Sequence, residues 1–107
     1  MNAPTTAYMI NELRFDSDTI KAANEVLKTL NHKLRLQLLK FIHQKGRCNV
    51  SEIYKNLRLE QSTTSQHLAL LRRCHYVLTE RLGKEIYYVV NYDRIREVEW
   101  LIKHFLD

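Results

Sequence analysis

A mainly α-helical domain with one small β-hairpin is the fold class this sequence predicts, on three observations. Apolar residues recur at i, i+3, i+4 and i+7 through most of the chain. Only residues 77–90 change character, becoming rich in β-branched and aromatic side chains around Gly83. Breakers are scarce, with two glycines and one proline in 107 residues, as a helical fold requires. A chain of this length fits one compact domain.

Residues 1–15 read as an N-terminal arm. The first six are polar and hold Pro4, and Tyr8, Ile10, Leu13 and Phe15 fit neither a strand nor a helix cleanly. The folded domain is expected to occupy residues 16–107. Asp16, Ser17 and Asp18 gather acceptors and negative charge where a helix start needs them. The helix that follows, to about residue 30, places Ile20, Ala23, Leu27 and Leu30 on one face. Asn31 suits both its end and the N-cap of the next helix, residues 32–44. Leu34, Leu38, Leu39, Phe41 and Ile42 make that second helix apolar around much of its circumference, so it should lie centrally. Gly46 closes it, as a glycine of positive φ past a helix end does. Ser51 is a plausible cap for a short helix over residues 51–57, with Ile53 and Leu57 inward.

A tight turn at residues 58–60 leads into the helix of residues 60–73, which has two unlike faces. Thr64, Leu68 and Leu71 form an inward stripe. Ser62, Gln66, Ala69 and Arg73 form an outward one that is small or hydrogen-bonding and ends in a cation. Such side chains can reach base edges and phosphate oxygens, and they let a helix sink into a groove. An ordinary polar surface helix is the bland alternative. Two short helices joined by a tight turn make a helix-turn-helix. Strands around Gly83-Lys84 then form a two-residue hairpin, near which Arg72, Arg81 and Lys84 gather. A basic-tipped hairpin in this position reads as a wing, placed to lie along the phosphate backbone or minor groove; the alternative is a hairpin that merely caps the core. The whole is a winged helix-turn-helix.

The last helix, residues 92–107, carries more apolar surface than a lid on so small a core requires. Val98, Leu101, Ile102 and Phe105, together with Ile20, Ala23 and Leu27, predict a homodimer through the N- and C-terminal helices. Two recognition helices would then meet half-sites about 34–36 Å apart. Lysine and arginine exceed aspartate and glutamate by five, a balance that suits a polyanionic partner, with duplex DNA first and an anionic membrane surface second. No apolar run nears the roughly 20 residues that span a bilayer, no signal peptide is evident, and Cys48 and Cys74 make no disulfide framework. The cytoplasm is the expected compartment.

The element order, with QSTTSQHLALLRR and the later GKEIYYVV, resembles the ArsR/SmtB family of winged-helix transcriptional regulators over about residues 22–106. Residues 61–71 are close to its QSTVSRHLALL-type recognition helix, and residues 83–88 resemble its GRxVYY wing. At the start of the second helix, His32-Lys33 stand where the family has Asp-Pro. The resemblance implies DNA contacts from Gln61, Ser62, Thr63, Ser65, Gln66 and His67, and backbone contacts from Arg81 and Lys84. His67 can equally be a half-buried structural imidazole. The resemblance further implies a homodimer that represses transcription on a palindromic operator in double-stranded DNA.

Many members of the family release DNA when a metal binds. Here the cysteine pattern reduces to Cys48 alone, and one thiolate makes no soft-metal site. The terminal-helix pattern reduces to Asp93 and His104, shifted by one position, conceivable as a site across a dimer but more simply solvated helix charges. A thiol switch at Cys48 and Cys74 competes with the reading of both as small buried hydrophobes. No cofactor is expected, and the releasing signal has no assignment. A winged-helix protein-interaction module that no longer reads DNA is the rival function. An enzyme is not expected: the sequence has no plausibly spaced carboxylate pair, nucleophile elbow or phosphate-cradling glycine loop.

Overall fold

The computed structural model describes residues 17–106, with side chains to His104. The expected arm over residues 1–15, the Asp16 part of the first helix start, and the side chain of Phe105 lie outside the described residues. Helix α1 (Ser17–Leu30) is followed by α2 (Lys33–Lys45), strand β1 (Cys48–Asn49), α3 (Val50–Leu57), α4 (Gln61–Arg73), β2 (Val77–Leu82), β3 (Glu85–Val90) and α5 (Tyr92–Leu106). The three strands form an antiparallel sheet of order β1-β3-β2. This is the winged helix-turn-helix the sequence predicts, with β1 added. β1 pairs Cys48 with Tyr88 and Asn49 with Tyr87. Two residues are too few to show a period of their own, so only β3, far along the chain, makes them a strand.

Helix boundaries follow from which groups are free to cap. The backbone N–H groups of Asn31 and His32 donate to the carbonyls of Leu27 and Leu30, which closes α1 and leaves His32, in extended backbone at φ −154° and ψ 123°, as the residue before α2. The cap of α2 therefore falls to His32, not Asn31: its Nδ1 accepts the Leu34 N–H at 3.2 Å. Gly46, at φ +81°, ends α2 with its N–H on the Ile42 carbonyl. The cap of α3 is Asn49 rather than Ser51. Asn49 Oδ1 accepts the Glu52 N–H at 2.8 Å, and Glu52 Oε1 accepts the Asn49 N–H at 3.0 Å. This reciprocal box predicts that Asn49→Ala costs about 1 kcal/mol of stability, whereas Ser51→Ala, inside the first turn, changes little. Parallel urea unfolding curves of the two variants check it. Equal losses would show that the box does not set the start of α3.

The core lies where α2, α3, α4 and the base of the hairpin meet. Leu38, Ile42, Ile53, Leu68, Leu71, Tyr76 and Val77 are fully buried there. Tyr76 also donates its hydroxyl to the Val26 carbonyl of α1 at 2.7 Å, which satisfies the one polar atom it would otherwise bury bare. Past α4, His75 takes a left-handed φ of +64°, which turns the chain into β2. Two side chains from the start of α5 hold that corner. Asn91 Nδ2 donates to the His75 carbonyl at 2.9 Å, and Arg94 Nε donates to the Cys74 carbonyl at 2.9 Å. These bonds serve carbonyls at the end of α4 that its own ladder leaves open.

Candidate nucleic-acid interface

Helix α4 separates its two faces cleanly. Thr64, Leu68 and Leu71 are buried, and Thr64 spends its hydroxyl on the Glu60 carbonyl at 2.9 Å. Gln61, Ser62, Ser65, Gln66, Ala69, Arg72 and Arg73 are exposed, with Thr63 and His67 half-buried on the flank. No side chain caps the helix, because the Glu60 carboxylate makes no cap bond. Its first-turn N–H groups thus open beside Gln61, Ser62 and Ser65, which line a shallow depression with Glu60.

Arg73 departs from the outward stripe that the sequence suggests. Its Nη2 meets Glu25 Oε1 of α1 at 3.3 Å. Both side chains remain more than half exposed, so the pair contributes little to stability and leaves the guanidinium recruitable. His67 turns inward from the flank. Its Nδ1 is buried without a hydrogen-bond partner, as is Nε of Arg35 on α2, and its ring lies 4.8 Å from that of His32. Burial, then the neighbouring His32 and Arg35, lowers the pKa of His67 below the ordinary imidazole value.

The hairpin turns through Gly83, at φ +64°, and Lys84, with Leu82 opposite Glu85. Its tip is not the basic tip the sequence suggests. Arg81 and Lys84 are matched by Glu80 and Glu85, so residues 80–85 carry 2 − 2 = 0 net charge. Register separates these charges. Arg81 and its partner Ile86 share a face with the buried pair Val77–Val90, whereas Glu80 and Glu85 lie on the other face. Arg47, before β1, stacks its guanidinium over Tyr87 at 5.3 Å and adds a cation to the sheet. Sequence reasoning missed Arg47, since its neighbour is set by the unforeseen β1–β3 pairing.

Helices α1 and α5 form a second exposed feature, an apolar groove. Ala23 and Leu27 line it from α1, and Trp100 and Leu101 from α5. Trp100 is 58% exposed, Leu101 52% and Ile20 51%; Leu27 and Ile102 are also exposed. Val98 is the correction here. At 2% exposure it faces the subunit's own core, because its stripe of α5 with Ile95 packs inward, and it supports the groove from behind. Trp100 is the residue sequence reasoning left out of the face, although its size and spacing beside Leu101 were legible.

The expected sensor residues are occupied otherwise. Asp93 pairs with Arg96. The His104 ring stacks on Trp100 at 3.9 Å, with its Nδ1 2.8 Å from the Trp100 carbonyl. Eleven residues of helix separate Asp93 from His104, about 16 Å of rise, so one chain cannot bring them together. Among the described residues no group of three or more His, Cys, Asp or Glu side chains could hold a metal ion. Cys48 and Cys74 are buried free thiols. Burial, with Glu52 adding to it, pushes the Cys48 thiol up to about 11, away from the thiolate that redox chemistry needs. Cys74 directs its thiol to Thr29 Oγ1 at 3.4 Å. No described helix is long and apolar enough to cross a membrane.

Residues 32–78 match the family described as bacterial regulatory protein, arsR family. The chain is 36% identical over 74 residues to the transcriptional repressor PagR of Bacillus anthracis, a match covering 69% of this chain and 74% of that protein. It is 39% identical to the biofilm growth-associated repressor of Xylella fastidiosa strain 9a5c, covering 75% of this chain and 78% of the relative. The crystal structure of PagR superposes with a TM-score of 0.65 at 32% identity, covering 81% of this chain and 99% of that one.

Proposed function

As a member of the arsR family of bacterial regulatory proteins, the chain is a DNA-binding transcriptional regulator, and we propose that it represses its targets as a homodimer on a palindromic operator. The observation that carries this reading is the division of α4: Thr64, Leu68 and Leu71 seat the helix, and Ser62, Ser65 and Gln66 are left outward. Gln66 has the donor and acceptor needed for two edges of an adenine, and Ser62 and Ser65 can serve bases or phosphates. The uncapped N–H groups beside Gln61 suit a phosphate oxygen. Thr63 takes the flanking backbone, and Arg81 and Lys84 the wing's share, while His67 faces α2 instead. Arg73 joins them by leaving Glu25. The repressor names of the two relatives support repression, and the exposed α1–α5 groove supports a dimer that would present two copies of α4. A regulator with these parts works in the cytoplasm and performs no catalysis.

Fluorescence anisotropy against promoter DNA at several salt concentrations tests this. Affinity should fall steeply with salt, by about 0.9 in the log–log slope for each neutralised phosphate. Gln66→Ala should cost about 1–3 kcal/mol on the preferred sequence alone and relax discrimination there. Lys84→Ala should weaken all duplexes alike and reduce the salt slope by about 0.9. Indistinguishable profiles for the two variants would refute the division of roles. A salt-independent protein partner with no duplex affinity would favour the interaction-module reading instead.

A further inference from the structure

Beside the buried leucines that pack α2 on the recognition helix, the start of α2 meets α4 through a pair of imidazoles. His32 occupies the N-cap of α2 and accepts the Leu34 N–H through Nδ1 at 3.2 Å. An imidazole nitrogen accepts only while it carries no proton. The His32 ring also lies 4.8 Å from the ring of His67, inclined at 44°. His67 belongs to α4, and its own Nδ1 is buried with no partner, as is Nε of Arg35 one turn along α2.

Charge on either ring would meet three penalties here. A protonated His32 Nδ1 can no longer cap. Positive charge at a helix N-terminus opposes the dipole. A protonated His67 would sit between His32 and Arg35, the two groups that act on it electrostatically. The surrounding charges offer little relief. Lys33 follows His32 directly. On α1, Glu25 is taken by Arg73, and Lys28 borders the same small cavity as Arg35. On α3, Glu52 is closed in its capping box, and Arg58 stands at the α3–α4 turn. On α4 itself, Glu60 is two turns before His67.

We propose that His32 and His67 are positioning residues for the recognition helix, forming a joint that holds α4 against α2 only while both rings are uncharged. Mild acid sets a charge on His67 against His32 and Arg35, parts the rings and loosens α4 at this end of its seat, so sequence-specific DNA binding is weakened. This rests on the DNA-reading role of α4, but the joint itself does not, since it is also visible in the free protein. The direction follows from the lowered affinity of His67 for protons. Below the ordinary imidazole pKa, about 6.5, the unfolded chain takes up a proton that the folded chain resists. Stability is full above that value and declines as pH falls through it toward the folded pKa.

The test compares about pH 7.5 with about pH 5.5 at fixed ionic strength, in the wild-type chain, H32D and H67Q. Thermal midpoints and imidazole proton NMR titrations are read without DNA, and anisotropy is read on operator and scrambled duplexes. In the wild type the midpoint should fall on acidification. The operator-to-scrambled affinity ratio should fall by on the order of tenfold, although added positive charge raises non-specific attraction. H32D supplies a cap that stays charged over this range and a counter-charge for His67, so it should abolish most of both changes. H67Q should reduce them, and the His32 resonance should titrate differently once its neighbour is gone. If H32D keeps the full wild-type fall in midpoint, or each imidazole titrates without sensing the other, the joint is refuted. A midpoint that responds as described, with an operator ratio that does not, would instead overturn the assignment of α4 as the reader.

Discussion

Leu68→Ala is expected to lower the unfolding free energy by about 2–5 kcal/mol. Leu68 is fully buried in one cluster with Leu38, Ile42, Ile53 and Leu71. Truncation there removes the apolar transfer energy of the side chain and opens a cavity between three helices that cannot all close on it. Domains of this kind are stable by only about 5–15 kcal/mol, so the variant should populate unfolded chain near physiological temperature and lose DNA affinity with it. Urea unfolding at one protein concentration checks this through a lower midpoint at unchanged slope. Ala69→Ser, one position along and exposed, is the control and should stay within about 0.5 kcal/mol. A loss below about 1 kcal/mol at Leu68 would mean that α4 is seated by something other than this cluster.

Leu101→Glu should separate the proposed dimer and reduce operator affinity by about 10²-fold or more. Leu101 is half exposed at the centre of the α1–α5 groove, beside Trp100 and across from Leu27. In a dimer joined along that groove, two carboxylates would have to be buried against apolar surface, which is far costlier than losing two leucines. In a monomer the same side chain reaches water at no comparable cost. Sedimentation of the variant should therefore give a folded monomer with native circular dichroism. The DNA loss follows because each half-site must then be bound separately, without the high effective concentration that a joined partner provides. An unchanged dimer with unchanged affinity would place the interface elsewhere on the molecule.

The parts of this fold that were legible in the sequence are those fixed by neighbours along the chain. The buried stripe of Thr64, Leu68 and Leu71 follows from helical spacing. Gly46 and Gly83 mark positive-φ corners, and the β-rich run around Gly83 makes its own hairpin. What was illegible depends on remote partners. β1 exists only because Tyr87 and Tyr88 lie beside it. Asn31 looked placed to cap α2, but the extended backbone before that helix falls one residue later, at His32. Arg73 reads as an outward cation until Glu25 of α1 comes within reach. Val98 and Leu101 look alike as apolar residues of one helix, and only packing turns the first inward. The wing is a different case. Glu80 and Glu85 were in plain view beside Arg81 and Lys84, and what was missing was the strand register that sets the carboxylates on the opposite face from Arg81.

The clasp formed by Asn91 and Arg94 on the last turn of the recognition segment has a mechanical consequence. It bolts the reader to the base of the C-terminal rod, with carbonyls of Cys74 and His75 as the fittings. Were two copies to pair along that rod as proposed, a change in their tilt would carry both readers with it. The distance between half-sites that such a proposed pair would tolerate is then set by a gear rather than a tether. In that proposed pair, a signal that altered the tilt would move both helices off their half-sites without touching either reading surface.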